Sequence, residues 1–100
     1  MTYDVCTPEQ IQDFILQNPV WVYDGHHLQA RYVFPSFARA FAVLSQIAIL
    51  CEKQNHHPDI NWSYHRLSFC LTTHDAGHVV TRADMDLAQA IDSVCSSFVA

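Results

Sequence analysis

One hundred residues, half of them hydrophobic and 15% charged, fit one domain that carries more apolar surface than so small a globule buries alone. Five Lys+Arg against ten Asp+Glu give a net charge of −5, which leaves no basic patch for direct nucleic-acid binding. The four cysteines, Cys6, Cys51, Cys70 and Cys95, form no C-x-x-C pair. The most apolar run, Phe37 to Cys51, is interrupted by Arg39, Ser45 and Gln46, so neither a cysteine zinc site nor a membrane span is expected.

The first ten residues hold no basic-then-apolar leader. With unpaired thiols this predicts a cytoplasmic protein, residues 1–100 forming a single domain. Thr7-Pro8-Glu9-Gln10 then reads as a helix start, with Thr7 as cap and Gln10 closing a capping box. Ile11, Phe14 and Ile15 share one face, and Asn18-Pro19 ends the helix. Val20 to Tyr23 predicts a short strand, Asp24-Gly25 a hairpin turn, and Leu28 to Phe34 a second strand with Leu28, Ala30, Tyr32 and Phe34 inward. His26 and His27 fall at the turn, as solvated polar groups.

Pro35-Ser36 opens the longest helix. Phe37, Ala40, Phe41, Leu44, Ala48 and Cys51 make one apolar stripe, and Ala42, Val43, Ile47, Ile49 and Leu50 spread hydrophobicity beyond it. A helix apolar on more than one side is buried on more than one side, so a homo-oligomer meeting through Phe37 to Cys51 is expected. The helix should stop near His56-His57, before Pro58. Ile60, Trp62 and Tyr64 mark a third strand and Leu67, Phe69 and Leu71 a fourth, joined near His65-Arg66. Trp62 and Tyr64 read as core or sheet-face aromatics. Thr81-x-x-Asp84 caps a last helix with Leu87, Ala88, Ile91, Val94, Cys95 and Phe98 on one side. The order helix-strand-strand-helix-strand-strand-helix predicts an α+β fold, a four-stranded antiparallel sheet with three helices on one face.

Chemistry concentrates between Glu52 and Asp84. His56 and His57 sit at the end of the long helix and His74 at the end of a strand, before Asp75-Ala76-Gly77. Imidazole titrates near neutrality, about 6.5 unperturbed, so three that converge suit proton transfer. A metal site would instead draw on His56, His57, His74, His78 and Asp75. Adjacent histidines fit a single tetrahedral ion poorly, so no metal is expected.

Glu52, His56-His57-Pro58, Tyr64, His74 and Asp84, in this spacing, resemble the signature of the pterin-4a-carbinolamine dehydratase family. Trp21, the segment Arg31 to Phe41, Thr73-His74-Asp75-Ala76-Gly77, and Leu87-Ala88 extend the resemblance across about Trp21 to Ile91. Gly77-His78-Val79-Val80 departs from it, with a loop one residue longer that bears on the pocket rim; there His78 reads as an exposed loop histidine or an extra polar contact. Asp59 and Ile60 also stand where an acidic residue and a tryptophan are common. The resemblance implies a cofactor-free dehydration of 4a-hydroxytetrahydropterin to quinonoid dihydropterin. It implies that His56 and His74 protonate the departing hydroxyl, and that His57 binds the pterin and acts as base. Pro58, Thr73, Asp75 and Ala76 would contribute to binding, and Glu52 and Asp84 would orient the histidines. The family's second identity, as a dimerisation cofactor of a homeodomain transcription factor, implies an alternative: a non-catalytic interaction module.

Overall fold

The computed structural model describes residues 3–100. In chain order they form α1 (Pro8–Gln17), β1 (Val22–Tyr23), β2 (Leu28–Val33), α2 (Phe37–Gln54), β3 (Asp59–Ser63), β4 (Arg66–Leu71), a 3₁₀ turn (His74–Ala76) and α3 (Arg82–Cys95). The strands make one antiparallel sheet in the order β1-β2-β4-β3. This is the α+β architecture and element order expected.

Local chemistry accounts for the element starts. The Thr7 hydroxyl accepts from the Gln10 N–H at 3.1 Å, and the Gln10 side chain accepts from the Thr7 N–H at 2.8 Å. Ser36 accepts from the Arg39 N–H at 3.0 Å and caps α2. Between β1 and β2, Gly25 takes φ +101, a conformation that favours glycine. There the Asp24 carboxylate accepts the N–H groups of His26 and His27 at 2.8 and 2.7 Å.

The core lies between the sheet and the helices. Leu28, Ala30 and Tyr32 of β2 stand opposite Leu71, Phe69 and Leu67 of β4, and all six are buried. Ile11 and Phe14 of α1, Ile47 of α2, and Leu87 and Ile91 of α3 close over them. Removing a wholly buried aromatic such as Phe69 costs about 3–5 kcal/mol.

Four expectations shift. β1 begins at Val22 rather than Val20, because the Trp21 N–H is taken by the Asn18 carbonyl at 3.0 Å and its ring is wholly buried. The β3–β4 turn is Tyr64-His65, with Ser63 paired to Arg66 and Tyr64 at φ +56. Tyr64 is therefore an exposed turn residue and not a core or strand aromatic. The inward row of α2 is Ala40, Val43, Ile47 and Cys51, while Phe37 and Phe41 stay exposed and lie against Trp62, with ring centroids 4.5 and 5.5 Å away. A helix apolar on more than one side has no sharp sequence period that selects one face, so packing against β4 and α3 selected it.

Candidate active site

His56 is placed by the way α2 ends. Asn55 adopts the left-handed conformation at φ 52, ψ 41. Its N–H reaches the Glu52 carbonyl at 3.2 Å, and the His56 N–H reaches the Cys51 carbonyl at 3.1 Å. These two bonds occupy the Glu52 and Cys51 carbonyls as the chain reverses. Asparagine tolerates this conformation better than most side chains.

The reversal sets His56 against the start of α3. Its Nε2 lies 2.5 Å from Asp84 Oδ1. The other oxygen, Oδ2, accepts from the Thr81 N–H at 2.8 Å and from the Thr73 hydroxyl at 2.7 Å. Asp84 is wholly buried and both its oxygens are satisfied, as a carboxylate removed from water requires. The residue caps α3 and anchors His56 at once. With Nε2 committed to Asp84, Nδ1 is the His56 nitrogen left for a ligand. His56 also lines a recess of about 330 Å³ with Gln54, Ala83 and Asp86.

His74 enters through the same hub, since it follows Thr73. The loop after it is closed by Thr73 N–H to the Val79 carbonyl at 3.0 Å and His78 N–H to the Thr73 carbonyl at 3.1 Å. Gly77 and His78, at φ +91 and +58, are two consecutive left-handed residues that fold the loop back. They bring His78 Nδ1 within 3.0 Å of His74 Nδ1, with the rings edge to face. Both imidazoles are exposed. The sequence signal for this pair is its H-x₃-H spacing, which a reading centred on His56-His57 passes over.

His57 stands apart. Its Nε2 lies 2.5 Å from Glu52 Oε2, and the two side chains are 58% and 77% exposed. Asp75 accepts from the Tyr3 hydroxyl at 3.2 Å. Partial loss of solvent and this carboxylate raise the Tyr3 ionisation above its ordinary value. Ala76 and Pro58 are half-buried beside these groups. The structure thus joins His56, Thr73 and Asp84 in one buried network with His74 next to it, and leaves Glu52–His57 as a separate surface pair.

Other chemistries find less support. All four cysteines are free, and burial pushes their thiols up, Cys95 to about 12, so none is a ready thiolate. No group of three or more His, Cys, Asp or Glu side chains could hold a metal ion among the described residues. No helix among them is long and apolar enough to cross a membrane. A roomier recess, about 660 Å³, lies on the open face of the sheet beside Gln29, Arg31, Asn61 and Ser68. No histidine lines it, so its size does not outweigh the chemistry gathered at Asp84.

The family profile described as pterin 4 alpha carbinolamine dehydratase matches residues 4–94. A protein of Prochlorococcus marinus strain NATL2A, named provisionally as a pterin-4-alpha-carbinolamine dehydratase, is 40% identical over 88% of this chain and 92% of its own length. A provisionally named dehydratase of Chloroflexus aurantiacus is 36% identical over 85% of this chain and 90% of its own. Among solved structures, a transcriptional coactivator/pterin dehydratase of Brucella melitensis superposes with a TM-score of 0.84 at 24% identity, over 92% of this chain and 99% of that one, a likeness of fold. A pterin dehydratase-like protein described as a RuBisCO assembly factor in the alpha-carboxysome superposes with a TM-score of 0.62 at 25% identity, over 75% of this chain and 86% of that one.

Proposed function

The chain belongs to the pterin 4 alpha carbinolamine dehydratase family, and from that membership we propose that it removes water from 4a-hydroxytetrahydropterin to give quinonoid dihydropterin. It would act as a 4a-hydroxytetrahydrobiopterin dehydratase, a hydro-lyase, in the recycling of tetrahydrobiopterin. The observation that carries the reading is the Asp84 hub. One wholly buried carboxylate holds His56 by one oxygen and the residue before His74 by the other.

The reaction moves protons and breaks one carbon–oxygen bond. The 4a-hydroxyl takes a proton, the bond breaks with its electron pair going to oxygen, and water leaves. A ring nitrogen gives up its proton and its electrons close the new double bond. His56, through Nδ1, and His74 are assigned as acids toward the hydroxyl, and His57 as the pterin-binding base. Asp84 holds the His56 ring in one orientation and balances its charge when both nitrogens are protonated. Glu52 holds His57, while Pro58, Thr73, Asp75 and Ala76 form the wall. Nothing in these steps is oxidised or reduced, so the proposal invokes no metal and no organic cofactor. The test is absorbance of freshly generated 4a-hydroxytetrahydropterin with wild type and His56→Ala. Acceleration that collapses in the variant supports the reading, and no acceleration by folded wild type refutes it.

A second copy of this chain is the proposed partner of α2. Phe37, Phe41 and Ile49 are 53%, 55% and 71% exposed on its outer side. Light scattering should give a dimer or tetramer, and Phe41→Asp should move it toward monomer. A folded protein that neither self-associates nor accelerates dehydration would be an interaction module, cofactor to another protein's dimerisation helix.

A further inference from the structure

We infer that His78 is a positioning residue for His74, and that the contact between their two Nδ1 atoms sets the tautomer and orientation His74 presents to the pterin. The inference rests on the proposed role of His74. The resemblance attaches no established role to His78, which lies where this loop departs from the family pattern.

Two N–H groups cannot point at each other across 3.0 Å. One proton therefore lies between the Nδ1 atoms, and one ring donates while the other accepts. Whichever way it runs, His74 Nδ1 is occupied and Nε2 is the nitrogen left to face a substrate. When a doubly protonated His78 donates, His74 carries its own proton on Nε2 and can give it up while Nδ1 takes the proton from His78, so that both rings end neutral. When His74 donates, its Nε2 holds a lone pair and can receive one. The choice between acid and base at the reacting atom is thus made behind the ring, as it is wherever a partner at one imidazole nitrogen sets the state of the other.

The loop is built to hold this contact. Backbone bonds from Thr73 and His78 tie the two ends together, and they hold His78 at φ +58, a conformation uncommon for a non-glycine residue. Without a partner, an exposed imidazole at this turn would rotate among conformers and lose that definition.

Three substitutions separate the pairing from the strain. His78→Ala removes the nitrogen and keeps the strained backbone. His78→Gly removes the nitrogen and relieves the strain. His78→Asn tolerates the left-handed conformation and offers a polar atom near the Nδ1 position. Ring nitrogen shifts of His74, read by long-range ¹H–¹⁵N NMR without substrate, should show one dominant tautomer in wild type and a mixture in the Ala and Gly variants. In the dehydration assay kcat should fall on the order of tenfold in both with KM changed by less than about twofold, and Asn should recover most of it. Unchanged His74 shifts in His78→Ala, or wild-type kcat in His78→Gly, would overturn the inference. If wild type accelerates nothing, the dehydratase reading fails alone, and the nitrogen shifts still decide the pairing.

Discussion

His56 and His57 each meet one carboxylate at 2.5 Å, yet His56 meets Asp84, which is wholly buried, and His57 meets Glu52, which is 77% exposed. Equal distances here do not mean equal energies. Asp84 is held by the Thr81 N–H and the Thr73 hydroxyl as well, so its position does not depend on the histidine. Glu52 is a long, solvated side chain that loses rotamer freedom to make its contact and is screened by salt. The buried pair therefore sets a ring in place, whereas the surface pair only biases one.

The largest expected effect tests whether the anchored ring does the chemistry. His56→Ala should lower kcat by about 10²–10⁴-fold with the fold intact, measured in single turnovers beside circular dichroism. An unchanged rate would leave Asp84 anchoring nothing of consequence. Next comes the anchor itself. Asp84→Ala strips the acceptor from Thr81, Thr73 and His56 together, and should lower unfolding stability by roughly 3 kcal/mol, seen as a lower urea midpoint at constant slope. A loss well under that would show a slack network.

Glu52→Gln is the matched change at the exposed pair. It should alter stability by less than about 0.5 kcal/mol, and raising salt in wild type should have an effect of the same size. A loss matching that of Asp84→Ala would break the comparison. The smallest effect belongs to a third carboxylate–histidine contact, Asp24 with His27, on the β1–β2 hairpin. Backbone N–H bonds, first from His26 and then from His27, hold the Asp24 carboxyl at about 2 against an ordinary 3.8. A depressed carboxyl stabilises the fold above its ordinary value, and that contribution disappears as pH falls through about 2. Asp24→Asn should flatten this acid limb slightly, and denaturant titrations between those two pH values would register it.

Much of this was legible where its cause is local. Thr7, Ser36 and Thr81 announce helix starts, Asn18-Pro19 a stop and Asp24-Gly25 a turn, because each acts within a few residues of itself. The inward face of α2 was not legible, since Val43 and Phe41 carry equal hydrophobic signal and only β4 and α3 tell them apart. The tyrosine at the β3–β4 turn was misread as strand because alternation continues through it, while the pairing of Ser63 with Arg66 ends the ladder one residue earlier. His78 had its spacing in plain view, but the contact with His74 needs two successive left-handed residues, which no local rule demands of histidine.

The sequence by itself determined the order of elements, the family and the candidate set of His56, His57, His74, Glu52 and Asp84. Tertiary structure decided which carboxylate each histidine received. Glu52 reaches His57 from five residues away on the last turn of its own helix, whereas Asp84 is 28 residues from His56. Their meeting requires the end of α2 to pack against the start of α3. Only that packing excludes water from the carboxylate and makes its three partners obligatory.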